Sequence, residues 1–309
     1  MRLVFMGTPE AAVPVLRRCV ADGHQIVAVW TQPDRPAGRG NKLHAPPVKE
    51  FALAHGLTVH QPSKIKTEEA RELFASHEAD AAIVVAYGRI LPSTFLRTPR
   101  RGCINVHFSL LPKYRGAAPV NWAIVRGEAE TGVTTMLIDE GLDTGAILLQ
   151  RATRTDESET APELLARLSE SGAELLSETL ARIDEIEPRP QREEDATHAP
   201  LLKREDGLID WSLRAAEIER RVRGFQPWPA AHTIFRGQHL VVWRAQIVKR
   251  DERRGADGEV FAAHGDELLI ACGGESALRV CELQLEGKRR MSARDFLNGM
   301  RVQVGERLG

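Results

Sequence analysis

The stretch AAIVVA, residues 81–86, is a continuous apolar run between two segments of helical periodicity. A strand buried on both faces of a parallel sheet has this composition, whereas a strand with one wet face alternates apolar and polar residues. Apolar runs at residues 3–6 and 25–31 also alternate with helical patterns. We therefore expect an α/β fold with a Rossmann-like, mostly parallel sheet and helical crossover connections.

The pattern changes after a long amphipathic helix predicted over residues 160–183, which opens with the capping-box spacing of Thr160 and Glu163. Residues 187–205 are polar and Pro-rich, and they predict a linker. Beyond them, a short helical pattern precedes alternating runs separated by glycines, as in a small antiparallel barrel of the oligonucleotide-binding (OB) type. We expect an N-terminal domain over 1–186, a linker over 187–205 and a smaller OB-like β-barrel domain over 206–309.

The overall composition of the 309 residues, 42% apolar and 28% charged, is that of an ordinary globular protein. No apolar run reaches the about 20 residues needed to cross a bilayer, and the N-terminus lacks the features of a signal peptide. The four cysteines are far apart, so they predict neither a disulfide framework nor a zinc site. We expect a cytoplasmic protein without a metal. From Lys203 onward, 19 basic and 16 acidic residues give a net charge of +3.

Residues 103–108, CINVHF, read as another buried strand, yet it carries two polar side chains. Because side chains alternate along a strand, Asn105 and His107 share one face. Ligands of parallel sheets bind at the carboxyl ends of the strands, where this face opens. An amide and an imidazole there can polarise a carbonyl group and stabilise the negative oxygen that forms when a nucleophile attacks it.

Asp143 is the best candidate for a third group that orients or charge-balances His107. It lies in IDEGLDTGAILL, residues 138–149, where Gly141 and Gly145 permit a sharp turn with a carboxylate at its tip. Asp139 is the competitor, but we expect it to end its strand and to bond locally. The residues alone leave another interpretation open, in which the polar pair bonds to neighbouring backbone and Asp143 is a turn residue.

Other catalytic classes fit less well. Ser109 does not lie in a G-x-S-x-G elbow, so a hydrolase serine is not indicated. His107 has no partner at a metal-ligand spacing. Gly7 follows the first strand without a G-x-G-x-x-G fingerprint, which argues against dinucleotide binding and hydride transfer.

Several ordered motifs resemble the methionyl-tRNA formyltransferases, within the folate-dependent formyltransferase family. They include GTPE (7–10), TQPDRPAGRG (31–40), VVAYGRILP (84–92), INVHFSLLPKYRGAAP (104–119), GLDTG (141–145), IDW (209–211) and PWP (227–229). The resemblance spans nearly the whole chain. One departure is Phe108, where small residues are more usual in the family; by alternation it points away from His107.

The resemblance implies transfer of a formyl group from 10-formyltetrahydrofolate to the α-amino group of methionine on initiator methionyl-tRNA, by a monomeric enzyme. Asn105 and His107 would hold the formyl oxygen, and Asp143 would set the charge of His107 and help move protons. It also implies a folate site with two parts. The turn after residue 108 contributes Ser109, Leu110, Leu111 and Pro112, and the loop after residue 86 contributes Tyr87, Gly88, Ile90 and Leu91.

The acceptor is inferred from basic segments rather than from the catalytic motif. The resemblance implies that the loop over residues 32–47 meets the acceptor stem of the tRNA. The predicted tRNA contacts are Arg39, Lys42, Lys203, Arg204, Lys288 and Arg289. Three rivals stay open: a formyltransferase for a sugar-nucleotide amine, a purine-pathway glycinamide ribonucleotide enzyme, and a non-enzymatic RNA-binding protein that uses the barrel alone.

Overall fold

The computed structural model describes residues 1–37, 42–248 and 255–309. The chain divides into two compact units. The first comprises Met1–Pro119, Glu130–Arg154 and Leu165–Ala199, and the second comprises Val120–Ala129, Thr155–Leu164 and Pro200–Gly309. The domain limits predicted from the sequence stay a prediction.

The strands up to residue 199 build the first unit. They are β1 (Arg2–Gly7), β2 (Gln25–Trp30), β3 (Arg35–Ala37), β4 (Lys42–His44), β5 (Val59–His60), β6 (Ala81–Val85), β7 (Cys103–His107), β8 (Arg115–Gly116), β9 (Glu130–Leu137), β10 (Ile147–Arg154) and β11 (His198–Ala199). The helices over the same part of the chain are α1 (Val13–Ala21), α2 (Pro47–Ala54), α3 (Glu68–Ser76), α4 (Ser93–Arg97), α5 (Pro119–Arg126) and α6 (Ala161–Ala181).

A seven-stranded sheet in the order β10-β9-β7-β6-β1-β2-β5 forms the core of the first unit. The pairs from β7 to β5 are parallel, and β9 and β10 add an antiparallel edge. All five residues of β6 are buried, and the strand lies between β7 and β1. The prediction of a mostly parallel α/β sheet is therefore confirmed, and β6 is the central strand that its apolar run indicated.

The faces of β7 are set by what packs against them. Val84 of β6 pairs with Asn105, and Val84 belongs to an apolar cluster with Phe74 of α3 and Phe95 of α4. On the opposite face, a Cβ atom added to Gly172 of α6 would lie 2.9 Å from a methyl group of Val106. Glycine thus permits α6 to lie close against β7. The polar side chains of β7 consequently face the α3 and α4 side.

The second unit contains an antiparallel sheet. Its strands are β12 (His232–Phe235), β13 (Gln238–Val248), β14 (Val260–His264), β15 (Glu267–Cys272), β16 (Ser276–Leu285) and β17 (Met291–Ser292). Its helices after residue 200 are α7 (Ala215–Gly224) and α8 (Ala293–Met300). The strand order is β12-β13-β16-β15-β14, with β17 on β16. The expectation of an α/β domain followed by a smaller β domain is confirmed.

Local contacts explain two of these helices. Ser292 caps α8 by accepting a hydrogen bond from the main-chain N of Asp295. In α7, the carbonyl of Gly224 accepts a hydrogen bond of 2.7 Å from Asn121 of α5. Within the described ranges, no helix is both long and apolar enough to span a membrane.

Candidate active site

His107 and Asp143, which are 36 positions apart in the sequence, meet at the carboxyl edge of the sheet. The His107 Nδ1 atom lies 3.7 Å from Asp143 Oδ2, and the two side chains are only 7% and 14% exposed. This separation suits an ion pair but is too long for a hydrogen bond. The predicted pairing of these two residues is therefore present as a close electrostatic contact.

The Tyr114–Gly116 segment fixes both members of this pair. His107 Nε2 lies 2.9 Å from the carbonyl oxygen of Tyr114. Because a carbonyl oxygen only accepts, Nε2 carries the hydrogen, and Nδ1 is the nitrogen that faces Asp143. Asp143 Oδ2 accepts a hydrogen bond of 2.8 Å from the main-chain N of Gly116. Asp143 and Tyr114 both have positive φ angles, 55° and 63°, as residues at functional turns often do.

Asn105 has a different environment. It lies two residues before His107 on the same face of β7 and is partly exposed. Within the described part of the chain, its carboxamide makes no hydrogen bond, so its N–H groups remain available to a ligand. The alternative in which neighbouring backbone satisfies both polar groups therefore fails for Asn105, although Tyr114 does bond to His107.

The turn after β7, residues 109–112, is held from several sides. The Ser109 side chain is fully buried, and its hydroxyl donates to the carbonyl of Lys113 at 2.6 Å. Leu111 is also buried, and its main-chain N donates to Thr134 Oγ1. Leu110 and Pro112 are half-buried. Of the four predicted folate contacts in this turn, Leu110 and Pro112 therefore present the most side-chain surface.

The loop after β6 separates two clefts. Tyr87 and Gly88 line a cleft of about 400 Å³, whereas Leu91 lines a second cleft of about 480 Å³. Between them, Ile90 is 74% exposed. Tyr87 is buried, which raises the pKa of its phenol to about 12, and its main-chain oxygen accepts hydrogen bonds from Thr8 and Gln32. Of the four predicted folate residues of this loop, Tyr87 and Gly88 thus line one cleft, Leu91 lines the other, and Ile90 lines neither.

Sequence reasoning missed Gln191 and Arg115. Gln191 Nε2 donates to the main-chain oxygens of Asp143 and Gly145, and Gln191 Oε1 accepts from Arg115 Nε at 3.0 Å. Arg115 is 3% exposed and also pairs with Glu193. The only signal in the sequence was that Arg115 lies inside a motif quoted above; a glutamine in a polar, Pro-rich segment gives none.

Asp139 behaves as expected for the competitor of Asp143. Its carboxylate accepts hydrogen bonds from the main-chain N of Gly141 and from the hydroxyl of Thr144. Asp139 therefore organises the turn that presents Asp143.

The predicted tRNA residues are distributed over both units. Arg39 lies outside the described residues, and Lys42 begins β4. Lys203, Arg204, Lys288 and Arg289 are exposed in the second unit. The ammonium group of Lys203 lies 3.8 Å from a carboxylate oxygen of Glu205, whereas Arg204, Lys288 and Arg289 form no ion pair with any described residue. These three cations are the ones most available to a phosphate backbone.

Comparisons with known proteins give one consistent family. Residues 1–180 match the model of the family described as formyl transferase, and residues 201–301 match the model described as formyl transferase, C-terminal domain. A methionyl-tRNA formyltransferase from Citrifermentans bemidjiense is 50% identical, covering 100% of this chain and 96% of that protein.

Two solved structures share the fold at lower identity. HypX from Aquifex aeolicus in complex with tetrahydrofolic acid is 18% identical, with a TM-score of 0.66, over 99% of this chain and 48% of HypX. The sugar 3N-formyl transferase WlaRD, in the presence of dTDP and 5-N-formyl-THF, is 19% identical, with a TM-score of 0.67, over 94% of this chain and 99% of WlaRD.

Proposed function

The chain belongs to the formyl transferase family, among the methionyl-tRNA formyltransferases, and we propose that it transfers the formyl group of 10-formyltetrahydrofolate to the α-amino group of methionine on initiator methionyl-tRNA. The product enters the initiation of protein synthesis. The observation that carries the proposal is the meeting of Asn105, His107 and Asp143 at one edge of the sheet, in a chain 50% identical over its length to such an enzyme.

The transfer needs no covalent intermediate on the protein. The methionyl amine attacks the formyl carbon, a tetrahedral intermediate forms, and the bond from that carbon to N10 of the folate breaks while N10 gains a proton. The free carboxamide of Asn105 donates to the formyl oxygen as it becomes negative. Preorganised donors of this kind are worth roughly 3–4 kcal/mol each. Nδ1 of His107 faces the same edge and exchanges the proton.

The direct partner of Asp143 in this site is His107 and not the substrate. At 3.7 Å from Nδ1, the Asp143 carboxylate places a negative charge beside the ring nitrogen that handles the proton. The hydrogen bond from Gly116 keeps the carboxylate oriented, and the Tyr114 carbonyl keeps the ring from turning. The pair can therefore pass a proton from the attacking amine towards N10 without either side chain moving far.

The folate co-substrate fits the surfaces around this trio. Ile90, at 74% exposure, and Leu142, at 62%, are unburied apolar side chains on the loops that follow β6 and β9. Leu110 and Pro112 add half-buried apolar surface. The exposed leucine and isoleucine side chains leave apolar surface in contact with water. A bound flat pterin ring would cover this surface and remove it from water. We assign the pterin to these four residues, with Leu91 behind them.

The tRNA is assigned to Arg39, Lys42, Lys203, Arg204, Lys288 and Arg289 through its phosphates. We also expect a monomer that acts in the cytoplasm. The chief rival acceptor is a sugar-nucleotide amine, because WlaRD has the same fold; the favoured acceptor has the higher sequence identity behind it, 50% against 19%.

A transfer assay with labelled 10-formyltetrahydrofolate tests the proposal. It compares methionyl initiator tRNA, methionyl elongator tRNA and an amino-sugar nucleotide as acceptors. We expect label on the initiator tRNA alone. Label on the sugar would overturn the acceptor but keep the catalytic trio. Arg39→Ala should raise the KM for initiator tRNA, and an unchanged KM would refute its contact.

A further inference from the structure

His107 lies in a row of three polar residues that crosses three strands of the sheet. In the strand register, His107 of β7 is directly opposite Thr134 of β9, and Thr134 is directly opposite Gln150 of β10. Side chains at opposed positions point to the same face of a sheet, with their Cβ atoms about 4.5–5.5 Å apart. The steps of formyl transfer give no part to Thr134 or Gln150, although both stand in line with His107.

The Thr134 hydroxyl is bound to the turn after β7 and to Gln150. It donates to the carbonyl oxygen of Ser109 at 2.7 Å and accepts from the main-chain N of Leu111 at 3.1 Å. It also accepts from Gln150 Nε2 at 3.1 Å. A hydroxyl has one hydrogen to donate and two lone pairs, so all of its bonding capacity is used. Thr134 is also completely buried, and it therefore acts on the reaction only through the residues that it holds.

Gln150 binds the same turn. Its Nε2 donates one hydrogen to the carbonyl oxygen of Leu111 at 2.8 Å and the other to Thr134 Oγ1. Together the two side chains bind both main-chain polar groups of Leu111, the N–H and the carbonyl. Gln150 is half-buried, unlike Thr134, so a substitution there disturbs the packing of the sheet less.

The neighbours of Thr134 on β9 also fit the turn. Residues two apart on a strand share a face, so Gly132, Thr134 and Met136 lie in line. A Cβ atom added to Gly132 would lie 2.6 Å from a methyl carbon of Leu110, so glycine leaves the space that this leucine fills. Met136 packs with Leu111 in a small buried apolar cluster. One face of β9 thus supports the turn at three successive positions.

The turn carries two groups that act in the reaction. Leu110 and Pro112 are the half-buried side chains assigned to the pterin. The chain then runs from the turn into Tyr114, whose carbonyl oxygen lies 2.9 Å from His107 Nε2 and orients the imidazole. A displaced turn would therefore alter the folate surface and the orientation of the His107 ring together.

We propose that Thr134 and Gln150 are positioning residues for formyl transfer. They fix the turn over residues 109–112, and through it they place the pterin surface and the His107 ring. The inference rests on the proposed function, since it concerns the donor side of the same site. It separates the two substrates, because the turn meets the folate and not the tRNA.

Thr134→Val tests the proposal, with Thr135→Val as the matched control. Both threonines are completely buried, but the Thr135 hydroxyl lies on the α6 side, 2.8 Å from the Thr179 hydroxyl, and accepts from the main-chain N of Leu149. Each variant leaves a main-chain N–H without its acceptor, so we expect both to lower the melting temperature.

The kinetic constants should distinguish the two variants. Because displacement of a catalytic group by about 1 Å can lower the rate about 10²-fold, we expect Thr134→Val to lower kcat by about 10-fold or more. The KM for 10-formyltetrahydrofolate should rise, while the KM for methionyl initiator tRNA should stay at the wild-type value. Thr135→Val should leave all three constants close to those of the wild type.

Two further variants make the test independent of stability. Thr134→Ser keeps the hydroxyl and should restore most of kcat. Gln150→Met keeps the length of the side chain without its N–H donors, and it should change the same constants as Thr134→Val, but by less. Equal kinetic losses in Thr134→Val and Thr135→Val would overturn the proposal, as would a Thr134→Ser variant no more active than Thr134→Val. If Thr134→Val does not fold, wild-type constants for Gln150→Met would overturn it.

Binding of tetrahydrofolate, measured by calorimetry, separates this proposal from the proposed function. We expect weaker binding by Thr134→Val than by Thr135→Val and the wild type, whichever amine accepts the formyl group. Equal affinities in the three proteins would refute the placement of the pterin surface by Thr134. A wild-type protein that binds tetrahydrofolate but formylates no methionyl initiator tRNA would instead refute the proposed function.

Discussion

Gln191 holds Asp143 through the main chain: Gln191 Nε2 lies 2.8 Å from the carbonyl oxygen of Asp143 and 2.8 Å from that of Gly145. Its other amide atom accepts from Arg115, so one carboxamide joins the carboxylate turn to the Tyr114–Gly116 segment. Because Asp143 has a positive φ of 55°, its position depends on such outside contacts. We infer that Gln191 is a positioning residue.

Gln191→Ala should lower kcat by about 10-fold or more while leaving the KM for both substrates within a factor of two. The reason is that displacement of a catalytic group by about 1 Å can lower the rate about 10²-fold. Steady-state kinetics measure this, and Gln246→Ala, at an exposed position in β13, is the control. A lower melting temperature for Gln191→Ala, together with the loss of kcat, would show a merely structural role. Gln191→Glu should not restore kcat, because a carboxylate has no N–H to donate.

His107→Ala should abolish measurable formyl transfer and leave the fold intact. Loss of a positioned acid–base group costs about 10²–10⁴-fold. Single-turnover transfer to methionyl initiator tRNA measures the rate, and circular dichroism checks the fold. Because His107 is buried and bonds to the carbonyl oxygen of Tyr114, His107→Asn is the companion variant that retains a donor in the buried position. Turnover at the wild-type rate by either variant would sink the proton-transfer role.

Asp143→Asn should separate charge from structure. Asparagine tolerates the left-handed φ and still accepts from the main-chain N of Gly116. We expect kcat to fall about 10²–10⁴-fold with little change in melting temperature. Asp143→Ala should lose activity and also about 1–3 kcal/mol of unfolding free energy, because the Gly116 N–H is left without its acceptor. Identical melting temperatures for the two variants would contradict the second part.

Stability should fall at alkaline pH. Burial raises the pKa of the Cys19 and Cys103 thiols to about 12. The unfolded chain releases these protons near pH 9, so it binds fewer protons than the folded chain between pH 9 and 12. The stabilisation is complete below pH 9 and is lost as pH rises towards 12. Urea unfolding at pH 8 and pH 10.5 measures the loss, which should be smaller in a Cys19→Ala/Cys103→Ala variant.

Local patterns predicted the central sheet well because burial on both faces leaves a direct mark on the sequence. The apolar run at 81–86 gave β6, and the polar alternation in 103–108 gave the face of Asn105 and His107. The sequence does not predict β12, over His232–Phe235, because four residues are too few to show an alternating pattern. The strand is recognised only by its pairing with β13. The part played by Gln191 depends on pairings distant in sequence, such as Arg189 with Ile147, which no local window contains.

The pairing of β11 with β8 also decides where this chain can be shortened. The end of α6 at Ala181 is the obvious cut point for a stand-alone catalytic fragment, but that fragment would lack Gln191 and both residues of β11. The Tyr114–Gly116 segment would then lose its neighbouring strand and the Thr197 side chain that binds the main-chain N of Tyr114. A usable fragment has to extend past Ala199, so limited proteolysis within 187–199 should inactivate the enzyme even though it spares every catalytic side chain.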